Sequence, residues 1–381
     1  MKVINVFEDG QYGGPQAYMI ALAKALQGKV EFLFLVPEKN SDAFQNKCQL
    51  NEITYQLLPL TNISRNFKKA ALYSLYFFYE IYKLYVLFKK NDADYIYICG
   101  GSWQYKGAIA AIFARKKIIW HLNDCYMPWL FRKIFSLLSR FAIGYVCASN
   151  RTKKYYSEYL DKDRPVYVVP SPIDTSHFSK FNSPEIDDTF KTSLENKFTI
   201  GSIGNINPIK GFEVLIKAAK ELEEFQDQIK FVIIGSVFPS QQKYYDGLQK
   251  IMRNLNVTNV MFYGPTYDVR SLLKRFDVYV CSSLSESSPI SVWEAMSMEK
   301  LVISTDVGDV SEYLLNGQTG FVVDVGDQVT LANTLRDIYL EKFPLDKLKS
   351  NARAMAVENF DAQICADKHL HVFNELKSAQ F

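Results

Sequence analysis

Two successive runs of short apolar strands, each alternating with helical stretches, constrain this chain more than any other feature. In the first run Lys2–Phe7, Val30–Val36, Ile53–Leu58, Ala93–Cys99, Lys117–Trp120, Ala142–Cys147 and Val166–Val169 read as strands. Between them lie segments such as Pro15–Leu26, where Met19, Leu22, Ala23 and Leu26 recur at helical spacing. After Pro170-Ser-Pro172 comes a polar stretch, His177 to Lys197, and then the pattern restarts. Phe198–Ile203, Phe231–Ile234, Val260–Tyr263, Val278–Cys281, Leu301–Ser304 and Gly320–Val323 are its strands, and Gly211–Leu222 is its first helix. Strands that are apolar throughout must be covered on both faces, which predicts parallel α/β sheets. The expected architecture is two doubly wound, Rossmann-like domains facing one another across a cleft, 1–171 and 172 onward. In such sheets ligands sit beyond the carboxyl ends of the strands. That directs attention to Asp9–Gly14, Gly100–Trp103, His121–Asp124, Gly204–Gly211, Gly235–Ser236, Gly264–Tyr267 and Ser282–Ser288.

Composition narrows the class. Of 381 residues, 48% are hydrophobic and 22% charged, which excludes a disordered or low-complexity chain. The six cysteines are scattered without C-x-x-C spacing, so neither a disulfide framework nor a cysteine zinc site is expected. The opening MKVINVF enters a strand pattern without a signal-peptide core, and a cytoplasmic location is predicted. Charge is divided unevenly: residues 1–170 hold 23 Lys and Arg against 13 Asp and Glu, whereas 171–381 hold 21 against 28. Most of the excess lies between Arg65 and Arg164. A basic half implies an anionic partner: a membrane surface, a nucleic acid or a phosphorylated substrate. Lys68–Lys90 is strongly apolar, with Tyr73, Tyr76, Tyr79, Tyr82 and Tyr85 at every third position. Glu80 and Lys83 interrupt it, so it is not a spanning helix. Packing on the sheet and peripheral contact with an anionic membrane both remain open for it, as for Trp129–Phe141 with its Arg132, Lys133 and Arg140.

Several motifs carry chemistry. In SSLSESSPISVWEAM, Ser288 before Pro289 reads as an N-cap and N1 pair opening a helix. Backbone N–H groups around Ser288–Ile290 would then suit a phosphate. Glu286 stands in the loop, and Glu294 about one and a half turns into the helix. In GNINPIKG, Lys210 lies at a strand–loop–helix junction, where a mobile ammonium suits diphosphate oxygens. Neither a Walker A nor a G-x-G-x-x-G fingerprint is present. Gly13 and Gly14 follow the first strand and let a ligand or a facing backbone approach closely. His121 is expected just after the strand KKIIW, with Asn123 and Asp124 behind it. Asp92-Ala-Asp94 reads as a helix–strand turn rather than a metal-binding D-x-D, and no metal site is expected.

Taken in order, G-x-x-G-G, VVPSPIDTSHF, GNINPIKGFEVLIKA, FYGPTYDVRSLLKRFDVYVCSSLSESSPISVWEAM and STDVGDVSEYLLNGQTGFVV closely resemble family 4 glycosyltransferases. The resemblance is strong over 166–327 and looser over 1–165. It implies the GT-B fold and retaining transfer of a sugar from a nucleotide-sugar, UDP- or GDP-linked, to a glycan or lipid-linked acceptor. No metal, no cofactor and no nucleic acid is implied. On this resemblance 1–171 is the acceptor-binding domain, 172–361 the donor-binding domain, and 362–381 a helix crossing back to the first. Glu294 would hold the ribose hydroxyls, Glu286 would lie by the donor sugar, Lys210 would neutralise the diphosphate, and Ser288, Pro289 and Ile290 would add backbone contacts. Gly13 and Gly14 would form the loop against donor and acceptor, and His121 would contact the sugar near the reaction centre. Catalytic work would thus rest on Glu286, His121 and Lys210. Asn205 stands where the family usually has a second cation, an arginine, and Ser287 replaces a common glycine. The expected role is building a surface polysaccharide or glycoconjugate, in the cytoplasm or on the inner face of the cell membrane. The alternatives are a catalytically silent homologue that binds glycan or a partner, or a nucleotide-sugar epimerase or phosphorylase on the same fold.

Overall fold

The structure, a computed structural model, describes residues 1–63, 67–182, 184, 190, 192, 194–266 and 268–378. Arg65 and Tyr267 lie outside them. Two compact units divide the chain: Met1–Pro172 with the C-terminal segment from Ala362, and Ile173–Asp361.

The first unit runs β1 (Lys2–Val6), α1 (Gly14–Ala25), β2 (Glu31–Pro37), α2 (Asp42–Leu50), β3 (Tyr55–Leu58), α3 (Phe67–Lys90), β4 (Tyr95–Cys99), α4 (Tyr105–Ala114), β5 (Ile118–Leu122), α5 (Trp129–Ser139), β6 (Ala142–Cys147), α6 (Asn150–Tyr156) and β7 (Val166–Val168). All seven strands are parallel, in the order β3-β2-β1-β4-β5-β6-β7. Side chains alternate across the sheet, apart from a register shift where β5 meets β6. Ile4, Ile96, Ile98, Trp120 and Leu122 pack under α3, α4 and α5. Val3, Tyr95, Tyr97, Cys99 and Ile119 face the other way. There they meet α1, α2 and the last helix of the chain.

The second unit runs β8 (Phe198–Ile203), α7 (Phe212–Glu221), β9 (Ile229–Ile234), α8 (Gln242–Asn254), β10 (Val260–Gly264), α9 (Arg270–Arg275), β11 (Val278–Cys281), α10 (Ile290–Ser297), β12 (Leu301–Thr305), α11 (Val310–Tyr313), β13 (Phe321–Val323), α12 (Gln328–Tyr339) and α13 (Leu345–Phe360). Its six parallel strands are ordered β10-β9-β8-β11-β12-β13. The chain then ends in α14 (Ala362–Ser378), which packs on α1 of the first unit.

The thirteen strands read from the sequence are all present, with ends moved by one or two residues. One move matters. The fifth strand continues through Leu122, so His121 lies inside β5 and not after it. Asp92 and Asp94 form the expected helix–strand turn, where Asp94 accepts the Lys2 backbone N–H at 2.8 Å.

In each sheet the strand order reverses once, between β1 and β4 and between β8 and β11. The loops leaving two such neighbours diverge to opposite faces and open a crevice at the strands' carboxyl ends. Those two switch points are therefore where each unit can hold a ligand.

Candidate functional site

At the second unit's switch point, the loops after β8 and β11 are tied together. The Leu284 N–H donates to the Ile209 carbonyl at 2.7 Å, and Ser282 Oγ donates to the Lys210 carbonyl at 3.0 Å. Across this seam Lys210 Nζ pairs with Glu286 Oε1 at 2.7 Å, with both side chains about one-fifth exposed. Ser283 Oγ donates to the same carboxylate oxygen at 2.9 Å. Burial alone would lower the Lys210 ammonium, but the Glu286 carboxylate beside it and the hydrogen bond between them raise it, so it is held charged. Lys210 is the only lysine or arginine in the loops after β8, β9, β11 and β12. A single, fixed, partly exposed cation at a switch point is suited to an anionic oxygen.

Glycines let these loops close. Gly211 has φ +59°, and a Cβ there would run into the Ser282 carbonyl oxygen. Gly308 has φ +57°, and its Cβ would strike the Ser287 carbonyl. Neither position accepts an L side chain without strain. Gly204 also leaves room for the Lys210 stem, since a Cβ would come within 2.9 Å of Lys210 Cε.

The helix start differs from the sequence expectation. α10 begins at Ile290, and Pro289, with ψ 97°, is the residue before it. Ser288 therefore does not cap; its Oγ accepts from Trp293 Nε1 at 3.0 Å. Extended ψ at the proline delays the helix by one residue. Pro289 has no N–H, so only the backbone of Ile290 and Ser291 can offer donors at that end. Glu294 then lies just over one turn into α10, rather than one and a half. Burial pushes its carboxyl up to about 8, and the nearby Asp268 carboxylate adds to the rise. Asp268, which the sequence did not single out, is held by Arg270 through Nε to Oδ1 at 2.9 Å and through Nη2 to Oδ2. Asn205 lies half-buried in the same loop as Lys210.

In the first unit Gly13 caps α1 with φ −158°, its N–H bound to Gln16 Oε1 at 3.1 Å. Gly14 opens the helix, and a Cβ there would meet nothing within 4 Å. Gly14 thus leaves open space at the start of α1, whereas a Cβ at Gly13 would rest 3.6 Å from Gln16 Oε1, and neither glycine needs the left-handed region. His121 is not at the surface: its exposure is 0%. It sits among Tyr18, Tyr97 and His369, its Nδ1 is 3.3 Å from Cys99 Sγ, and its Nε2 has no partner among the described residues. Burial, with His369 nearby, drives its imidazole well below the ordinary value, so it is neutral. The expectation that His121 touches a sugar is therefore corrected, because the pleat of β5 turns this side chain into the core. Asn123, half-buried, is the residue that reaches the strand's end.

Two buried polar clusters had no signal in the sequence. Glu8 Oε1 accepts the N–H groups of Lys106 at 2.7 Å and Gly107 at 3.2 Å, closing the start of α4. Burial pushes its carboxyl up to about 7 against the opposing Lys106 charge. Lys106 Nζ pairs with Glu80 and lies 4.2 Å from the centre of the Tyr73 ring. Asp124, also pushed up to about 7 by burial, accepts from Tyr156 and from Trp103 Nε1 at 3.2 Å. The partners come from distant parts of the chain, so only the fold brings them together. Among the described residues, no three His, Cys, Asp or Glu side chains form a metal-binding group.

Comparison with known proteins adds the chemistry. Residues 185–355 match the family model for glycosyl transferases group 1. A lipopolysaccharide core biosynthesis mannosyltransferase, LpcC, of Rhizobium leguminosarum bv. viciae is 23% identical over 214 residues, 56% of each chain. A capsular polysaccharide biosynthesis glycosyltransferase, CapM, of Staphylococcus aureus is 25% identical over 199 residues, 52% of each. The match spans about half the length of these curated relatives. Among solved structures, Anabaena Alr3699/HepE in complex with UDP and glucose superposes with a TM-score of 0.82 at 20% identity, covering 98% of this chain and 99% of that one. The fold is GT-B, built of two Rossmann-like units.

Proposed function

We propose that this chain, which carries a glycosyl transferases group 1 domain over residues 185–355, moves a sugar from a nucleotide-sugar to a glycan or lipid-linked acceptor, with retention at the anomeric carbon and without a metal. One observation carries this reading: the Lys210–Glu286 pair bridges the two switch-point loops of the second unit, 2.7 Å apart and partly open to solvent. In the proposed mechanism the leaving diphosphate gains negative charge as the glycosidic bond to it breaks. A positive group must already stand where that charge develops. Lys210 supplies the ammonium, and the N–H groups of Ile290 and Ser291 supply donors at the start of α10. Glu286, released from Lys210 as the diphosphate takes its place, turns to the donor sugar, with Ser283 as its remaining partner. Glu294 in its ionised form accepts from the two ribose hydroxyls. A base of the uridine or guanosine class fits this reading; the UDP bound by Alr3699/HepE supports uridine. Gly13 and Gly14 form the loop against donor and acceptor at the start of α1. His121 acts as a neutral positioning group beneath the first unit's strand ends. Polysaccharide and glycoconjugate biosynthesis is the setting, on the inner face of the cell membrane.

The test is a thermal-shift and calorimetric panel of UDP-, GDP- and ADP-sugars in EDTA, with Glu294→Ala beside the wild type. A shift with one nucleotide class that survives EDTA and disappears in the variant supports the reading. No shift with any donor at millimolar concentration refutes it.

A further inference from the structure

Large apolar side chains are exposed very unevenly. Twenty-two are exposed among the described residues, and thirteen of them lie between Leu72 and Phe141. Eight of those thirteen are aromatic, against one, Phe181, of the remaining nine. Eleven of the thirteen project from α3, α4 and α5, and Tyr126 and Phe141 flank α5; the three helices lie side by side on one face of the first sheet, α3 packed on α4 and α4 on α5. Leu75 is 72% exposed, Phe78 80%, Tyr82 62%, Phe113 67%, Trp129 74% and Leu137 61%. α3 holds the sheet with its second half, through Ile81, Leu84, Leu87 and Phe88. Its first half is exposed around most of its circumference. The tyrosine row shows the turn of the helix: Tyr73 is half-buried, Tyr76, Tyr79 and Tyr82 are exposed, and Tyr85 is half-buried again. A row with a three-residue step drifts by about 60° each time, so it winds from core to solvent and back.

The exposed charges on and beside these helices are positive except for Asp92. Lys68, Lys83, Lys89, Lys90, Arg115, Lys117, Arg132, Lys133 and Arg140 are exposed. Glu80 is buried and Asp124 half-buried, and they are engaged by Lys106, Tyr156 and Trp103. Asp92 is the one exposed carboxylate from 67 to 141, at the turn before β4. No helix among the described residues is long and apolar enough to cross a membrane.

We propose that the face formed by α3, α4 and α5 docks in the interface of an anionic lipid bilayer. Aromatic rings and long cationic stems suit the headgroup boundary, where rings sink between lipids and ammonium groups stay with phosphates. The charge pattern selects this occupant over a second copy of the chain. A two-fold dimer through this face would set cations such as Lys68, Lys83, Arg132, Lys133 and Arg140 against their own copies with almost no carboxylate to pair them. An anionic bilayer neutralises all of them. The proposal deepens the membrane location given under Proposed function and rests on it for biological setting, but binding to lipid is measured without any sugar transfer.

The experiment is co-sedimentation of the full chain with vesicles of 30% phosphatidylglycerol in phosphatidylcholine, and with pure phosphatidylcholine. The variants are Phe78→Ser with Trp129→Ser and Leu137→Ser together, Arg132→Glu with Lys133→Glu, and Val329→Ser as a control on the second unit. Each basic residue near an anionic surface is worth about fivefold in partitioning, so the charge reversal is expected to lower binding at least 25-fold. The triple apolar variant should lose tenfold or more on the same vesicles, and the control should lose nothing. The thermal shift with nucleotide-sugar is read on every variant. A retained shift with lost sedimentation isolates the lipid surface from the donor site and shows that the variant is folded. The proposal is overturned if the wild type does not sediment with anionic vesicles, or if the variants sediment like the wild type. It is equally overturned if the wild type is a dimer that the triple variant splits while vesicles leave both in solution.

Discussion

Replacing Glu294 by glutamine should stabilise the protein while removing the grip on the nucleoside that we propose for it. Burial and Asp268 raise this carboxyl from 4.5 to about 8. In the unfolded chain it ionises near 4.5. Below that value both states are protonated and the group costs nothing. As pH rises from 4.5 to 8 the unfolded state releases the proton and the folded state keeps it, so stability falls steadily. Above 8 both are ionised and the penalty is constant. At 1.36 kcal/mol per pH unit the ceiling is about 5 kcal/mol. Water entering the site at strand ends reduces this, and about 2 kcal/mol is the expected effect. For a domain the size of the second unit that corresponds to about 4–8 °C in Tm. Glutamine keeps the shape and never ionises. Wild type and Glu294→Gln, melted every half unit from pH 4.5 to 9, should coincide at the acid end. They should diverge to pH 8 and then run parallel, with the variant the more stable. UDP-sugar should shift only the wild type, and more strongly as pH rises towards 8. A variant that melts lower at pH 8.5, or a gap that does not change with pH, refutes the argument.

Four further outcomes follow from the same geometry. Lys210→Met should lower kcat/KM for transfer by about 100-fold or more while costing only about 1 kcal/mol of stability, since the ion pair is partly exposed; kinetics and melting read the two separately. Gly308→Ala forces a Cβ against the Ser287 carbonyl at φ +57°, and should cost about 1–3 kcal/mol and disturb donor binding, read as a lower Tm and a smaller nucleotide shift. His369 is held at about 4 by burial; its stabilising contribution is full above 6.5 and lost as pH falls towards 4, up to about 3 kcal/mol, so His369→Gln should flatten the acid limb of the Tm–pH curve. Asn205→Arg, which adds a second cation to the loop that carries Lys210, should tighten UDP-sugar binding about tenfold, measured by calorimetry.

The architecture was legible because parallel strands covered on both faces have to be apolar throughout. YIYIC and FVII could be read without knowing what they pair with. Helix starts were harder to place. Ser288-Pro289 has the residue types of a cap and first turn, but a proline tolerates ψ 97° as readily as helical ψ, and the loop from Ser282 chose the former. His121 failed for a related reason. A strand end read one or two residues early moved the histidine from inside the sheet to its rim, which changed a core side chain into a candidate ligand contact. Lys210 and Glu286, 76 positions apart, were each visible as residues of interest. That they share one hydrogen bond was not, because it depends on β8 and β11 being neighbours in the sheet.

The basic first half left a membrane surface, a nucleic acid and a phosphorylated substrate open as partners, and the placement of its cations bears on that choice. An anion site within the first unit would put cations in the loops beyond its strands. The loops after β1, β4, β5 and β6 hold no lysine or arginine. Lys106, 3.9 Å from Glu8, is fully buried and committed to Glu80 and Tyr73. Near the strand ends this unit also keeps Glu8 and Asp124 raised to about 7, and a neutral His121. Its interior is therefore low in fixed charge, and the excess of basic residues stands on the outer sides of α3, α4 and α5. The second unit is acidic overall, yet it presents a lone lysine at its switch point. On the proposed readings, two uses of positive charge are separated in this chain. One ammonium is fixed by a carboxylate to meet a small anion at close range, where a displacement of an ångström matters. Many flexible cations are spread over an aromatic surface to meet a large anionic one, where only their number and their proximity count. If that separation holds, high salt should release the protein from vesicles at concentrations that leave the nucleotide-sugar shift nearly intact, because exposed charges are screened and the half-buried Lys210 is screened far less.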